Sequence, residues 1–147
     1  MAGNAAARTL KMRCEDLAEL IPALMQTETC INEFLMPLHS IYERLKGESR
    51  VGRMFEYMAA AYSADTPKLW EEGLEFTALS AEDKREVMRL AEVLGNGGRQ
   101  HQKKHIELCL EKLKASLDSA EERLKLDGEL YRKLGAYAGI LAAIILF

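Results

Sequence analysis

Along the first part of the chain, apolar residues recur in alternating steps of four and three. They are Leu10, Cys14, Leu17, Ile21, Leu24, Ile31 and Leu35, with Glu28 in the one polar slot of the series. That period belongs to a helix burying a single stripe and predicts one long helix from about Ala5 to Leu35. Pro22 falls inside it. Proline lacks an amide hydrogen and crowds the preceding turn, so it predicts a kink or a division near Ile21. A second helix is predicted to begin at Pro37 as a first-turn residue, turn Leu38, Ile41, Tyr42 and Leu45 inward, and stop at Gly47 as a C-terminal cap. Val51 to Tyr62 gives a third, with Phe55, Met58, Ala59 and Tyr62 on one face. Thr66-Pro67 reads as an N-cap and first-turn proline opening a fourth through Leu69, Trp70 and Leu74. Ser80-x-x-Asp83 reads as a capping box that opens a fifth, whose face is Val87, Leu90, Ala91 and Leu94. Gly95-Asn96-Gly97-Gly98 ends it.

Beyond that loop the same seam resumes at Ile106, Leu110, Leu113, Leu117, Ala120 and Leu124. It continues through Tyr131, Leu134, Ala138, Leu141 and Ile145, and only Asp127 breaks it. This predicts one helix from about Arg99 to the end, about 70 Å long at 1.5 Å per residue. From Leu134 to Phe147 no residue is charged, and Arg132-Lys133 stands directly before the run. The run is expected to be a membrane segment, short or truncated, since its span of about 21 Å falls below a hydrocarbon core of about 30 Å. Gly135 and Gly139, four apart, offer a small-residue face for packing against another membrane helix. The fold expected is therefore all-α. It is a bundle of about six helices whose long C-terminal helix continues into the membrane, with residues 1–132 as the bundle domain and 133–147 as the transmembrane segment.

Composition narrows the function. The chain has 147 residues, 48% of them hydrophobic, enough for one core but hardly for two. A formal charge of −3 and no run of more than two adjacent basic residues argue against nucleic acid as a partner. Cys14, Cys30 and Cys109 are odd in number and far apart, which suits buried apolar residues in a reducing compartment better than a disulfide framework. Met1 to Ala7 lacks the apolar core of a cleaved signal peptide. No nucleophile elbow, phosphate-cradling loop or Cys/His pairing is present, so no catalytic residue, cofactor or metal is expected. The alternative is a small metal-dependent, membrane-associated enzyme using His101 and His105, four apart on one helix face, with an acidic residue such as Glu107.

The order of Ile31, Met36-Pro37-Leu38, Phe55, Leu69-Trp70-Glu71, Leu94-Gly95, Gln102-x-x-His105-Ile106 and Leu134-Gly135-x-x-x-Gly139-Ile140-Leu141 resembles that of the stage III sporulation protein AB family over essentially the whole chain. The motif residues Pro37, Leu38, Trp70, Glu71, Gly95, Gln102 and His105 carry the resemblance. The chain departs from the family pattern at Met36, at Cys30 and at Asn96-Gly97-Gly98, and it lacks the hydrophobic helix usual upstream of the position of Gly3. The resemblance implies a membrane-anchored platform or scaffold subunit, not an enzyme. It would serve the channel-like apparatus between mother cell and forespore in endospore-forming bacteria, with a helical domain similar to the platform proteins of type II secretion and type IV pilus systems. It also implies as partners the stage III sporulation AA-type ATPase, other stage III sporulation membrane proteins, and a second copy of the chain. The basic residues Arg8, Lys11, Arg13, Arg132 and Lys133 flank the expected anchors on the domain side. By the positive-inside tendency they predict a helical domain in the cytoplasm, and the resemblance implies that this is the mother-cell cytoplasm and that the membrane is the outer forespore membrane.

Overall fold

One uninterrupted helix, α1 (Ala2–Asn32), forms the spine of the molecule, and α6 (Arg99–Leu126) lies antiparallel along its length. The computed structural model describes residues 2–126, and among them the chain is all-α, with no strand. Four shorter helices join the pair: α2 (Leu38–Leu45), α3 (Arg50–Ala60), α4 (Thr66–Leu74) and α5 (Ala81–Val93). Contacts run α2 to α3, α3 to α4, α4 to α5 and α5 to α6, with α1 touching α2 and α3. The short helices therefore wrap one half of the hairpin and leave the other half bare. We call the wrapped half the head and the bare half the stalk.

The head encloses a core that includes Leu17, Leu20, Leu24, Ile41, Met54, Phe55, Trp70, Leu90 and Ile106. Trp70 sits at its centre, donating its indole N–H to Tyr42 Oη at 2.9 Å and meeting Tyr42 and Phe55 edge-on. This satisfies the one polar atom of the ring while burying the rest. The stalk core is a second, small cluster of Leu10, Cys14, Ala120 and Leu124, with Leu117 packed against it. A seam of that kind is what the alternating steps of four and three produce when one helix meets one other.

Several local expectations are corrected. Pro22 does not divide α1. It is exposed, while Leu20, Ile21, Ala23 and Leu24 around it are buried, and the helix runs through it unbroken. The helix ends at Asn32, and Leu35, expected on the buried seam, is 63% exposed with φ of 52°. Tyr62 lies beyond the end of α3 and is half exposed, its ring against His39. The N-cap of α4 is Asp65, whose carboxylate accepts from Lys68 N at 3.2 Å, and Thr66 is already helical. Pro37 is the N-cap of α2 and not its first turn.

Gly47 is not a left-handed cap. Its N–H donates to Gly52 O at 3.1 Å, and the two backbones lie so close that a Cβ on Gly52 would stand 2.6 Å from Gly47 C. Glycine is needed there for approach. Gly95, by contrast, does take the left-handed conformation expected after α5, with φ of 84°. The seam beyond Leu126, the membrane segment 133–147 and the Gly135/Gly139 face lie outside the described residues. Among the described residues no helix is long and apolar enough to cross a membrane.

Candidate functional site

Where head meets stalk, α1 carries two buried polar clusters. Arg13 donates from Nε to Asp83 Oδ2 at 2.7 Å, and from a terminal guanidinium nitrogen to Asp83 Oδ1 at 3.2 Å and Ser116 Oγ at 2.6 Å. Ser116 donates in turn to Asp83 at 2.5 Å. Asp83 also closes the capping box of α5, accepting from Ser80 N while its own N–H donates to Ser80 Oγ. One carboxylate thus ties α1, α5 and α6 together. Burial opposes its charge, but the hydrogen bonds from Arg13 and Ser116, the Arg13 charge and the Ser80 amide together hold it below the usual carboxylate range. One turn along α1, Asp16 is 2% exposed and accepts from Ala78 N at 2.7 Å and Arg50 Nε at 3.1 Å. Arg50 also reaches Glu15. This second cluster joins α1 to the start of α3 and to the α4–α5 connection.

These two clusters are the chief polar features that the apolar periodicity misses. Asp83 is legible as a cap. Nothing in spacing alone says that both of its oxygens also receive Arg13, a residue read as a flanking charge. The clusters are structural in their chemistry, because every acceptor is occupied and no buried side-chain nitrogen or oxygen lacks a partner among the described residues.

The opposite end of the head presents a different surface. The turn between α1 and α2 is held by Glu33 N donating to Thr29 O at 2.8 Å and Met36 N donating to Cys30 O at 2.9 Å. Met36 packs on the core, whereas Phe34 and Leu35 stand out at 66% and 63% exposure. Beside this turn, Asn32 from α1 and Gly98, Arg99, Gln100 and Lys103 from the start of α6 line an open notch of about 410 Å³. The lining carries two positive charges and no carboxylate. Glu33 lies on the turn itself, and Glu28 and Glu107 face each other behind Lys103. We refer to this end as the tip.

The motif residues named from sequence divide between tip and core. Leu38 and Gly95 meet at the tip, since a Cβ on Gly95 would lie 3.6 Å from Leu38 Cδ1 and 3.5 Å from Thr66 Oγ1. Gln102 Nε2 donates to Gly97 O at 2.9 Å, fastening the α5–α6 loop. Pro37 is exposed beside the protruding pair. Trp70 is core, and Glu71 beside it is exposed on α4. His105 is half-buried against the α5–α6 groove near Leu90, Leu108 and Cys109.

The metal-enzyme alternative required His101, His105 and an acidic residue such as Glu107 to converge. The two imidazoles do meet, with ring centroids 4.6 Å apart, but Glu107 bonds towards Glu28 on α1. Among the described residues no three His, Cys, Asp or Glu side chains come together as a metal-binding group. The three cysteines are buried and unpaired. Burial pushes the Cys14 thiol up to about 11 and that of Cys109 up to about 12, so both stay protonated and unreactive at neutral pH.

Compared with known proteins, the chain matches the family model for stage III sporulation protein AB over residues 1–147, its whole length. No curated protein and no solved structure matches it.

Proposed function

The chain belongs to the stage III sporulation protein AB family and so has a role in sporulation, and on that premise we propose that it is a platform subunit of the apparatus joining mother cell and forespore. In this reading the protein is a scaffold and not a catalyst. Residues 133–147 anchor it in the outer forespore membrane, the head faces the mother-cell cytoplasm, and the head docks the stage III sporulation AA-type ATPase. Neighbouring stage III sporulation membrane proteins, and a second copy of the chain, meet it within the bilayer through the Gly135/Gly139 face.

The observation that carries the reading is the family match along the full length. The geometry supports it. The first turns of α1 and the last turns of α6 lie side by side in the stalk, so a membrane segment following α6 would hold the protein by that end. The tip then stands at the far end of α1, about 45 Å away at 1.5 Å per residue. A rigid head carried clear of the bilayer is suited to holding a cytoplasmic partner.

The test is co-purification of the full chain, in detergent, with the AA-type ATPase of the same apparatus, with and without nucleotide. Binding in either state supports the platform reading. Failure in both states moves the role to contacts made within the membrane and removes the ATPase from the proposal.

A further inference from the structure

We propose that the tip is a docking surface for a protein partner that presents an apolar pocket flanked by carboxylates. The first observation is the protruding pair. Phe34 and Leu35 are adjacent, both nearly two-thirds exposed, on a turn whose flanking residues are pinned by backbone hydrogen bonds and whose next residue is packed on the core. The pair is therefore held out from a fixed base and is not a loose loop. Exposed apolar pairs of this kind supply the central anchors of interfaces, because they lose water without having to be ordered first.

The second observation is the backbone under Leu35. At φ of 52° it occupies the left-handed region, where a residue with a Cβ is disfavoured and where helices ordinarily end on glycine. Gly95 fills the equivalent need at the end of α5. At Leu35 the chain carries a large apolar side chain instead, in a conformation that does not bury it. A strained residue whose side chain stabilises nothing inside the fold is placed to act outside it.

The third observation fixes the partner's charge. The notch beside the pair is lined by Arg99 and Lys103 with Asn32 and Gln100, all hydrogen-bonding groups, and by no carboxylate. Glu28 and Glu107 engage each other on the α1–α6 face behind it, where the Lys103 charge also acts on Glu28, so Arg99 is the principal cation facing a partner, and Glu33 is the one acid on the turn. A partner seating Phe34 and Leu35 in an apolar pocket would thus meet guanidinium and ammonium groups at one edge. Carboxylates there would be complementary, while basic groups would be repelled. A lipid surface also suits an apolar pair beside cations. The position of the tip at the far end from the stalk favours protein over lipid, and this step rests on the platform reading.

Two experiments on the full chain decide it. In the first, p-benzoylphenylalanine replaces Phe34 in sporulating cells, and the cross-linked product is sequenced. A partner peptide with aspartate or glutamate beside apolar residues is the expected result. A lipid adduct, a second copy of this chain, a basic peptide or no adduct overturns the proposal. In the second, binding of the AA-type ATPase is compared for the unaltered chain and for Leu35→Gly, Phe34→Ser and Arg99→Glu. At least a tenfold loss is expected in each. Leu35→Gly is expected to leave the melting temperature at or above that of the unaltered chain, which separates lost docking from lost folding. If the unaltered chain binds and the three variants bind equally well, the tip is not the surface. If the unaltered chain itself fails to bind, the ATPase reading falls, and the cross-link alone judges the tip.

Discussion

Residues 17–31 of α1 are enclosed by α6 and by the short helices, so that Leu17, Leu20 and Leu24 are wholly buried, whereas Leu10 and Cys14 of the same helix cluster only with residues of α6. The two stretches carry the same apolar period and differ in what covers them. In the head, the stripe is one wall of a core that an aromatic cluster fills from the opposite side. In the stalk, it is half of a two-helix seam whose other faces meet water. Apolar periodicity thus specifies that a helix buries a stripe but not how deeply. Depth comes from partners elsewhere in the sequence, and the Arg13–Asp83–Ser116 and Asp16–Arg50 clusters mark where they stop.

The sharpest way to test that contrast is to remove atoms from each core. Trp70→Ala empties the centre of the head and leaves the Tyr42 hydroxyl without its donor, and should cost about 4 kcal/mol in urea denaturation, with the whole head unfolding together. Next in size is Asp83→Asn at the boundary. Arg13 is largely enclosed, and losing the carboxylate leaves its charge uncompensated, at about 3 kcal/mol.

This boundary effect is pH-dependent. The fold holds the Asp83 carboxyl below its ordinary value, so its contribution is complete above that value and is lost as pH falls through the lower folded one. The unaltered chain and Asp83→Asn should therefore converge in stability below about pH 4. Parallel denaturation curves that never approach each other would count against the ionised pair.

Leu124→Ala in the stalk should cost about 2 kcal/mol, at the low end for a buried leucine, because two helices can close over the gap. Hydrogen exchange should quicken in residues 5–14 and 117–126 and remain unchanged around Trp70. Spread of the effect into the head would mean that stalk and head are one cooperative unit. The smallest effect is expected at Glu28, the polar slot of the α1 seam. Burial first, and then the charge of Glu107, push its carboxyl up, so the fold favours the protonated form and loses that advantage as pH rises through the folded value. Glu28→Gln should be neutral to slightly stabilising at pH 7, and the difference should disappear on acidification.

Much of this architecture is legible in sequence because helix signals are local. The seam residues of α1 from Leu10 to Ile31 are buried as spaced, the Ser80/Asp83 box forms, and Gly95 turns the chain after α5. What is not legible depends on distant or three-dimensional facts. Pro22 leaves α1 continuous and falls on its exposed side, which the local sequence does not announce. Gly47 serves an approach to Gly52 that no spacing rule announces. Leu35 continues the apolar step yet lies past the helix end, so the period alone assigns it to the core when it belongs to the surface. The tip was legible only in part. Pro37, Leu38, Gly95 and Gln102 stood out as motif residues, but Phe34 and Arg99 gain meaning only when two turns far apart in the chain are set side by side.

Because α1 passes from stalk to head without a break, the two seams are locked in angular phase. A single residue inserted between Cys14 and Leu17 would turn the stalk stripe by about 100° relative to the head stripe and face Leu10 away from Ala120 and Leu124. Seven inserted residues would bring it back to within about 20°. Because seven residues also add about 10 Å along the axis, natural length variation there is expected in whole heptads matched between α1 and α6.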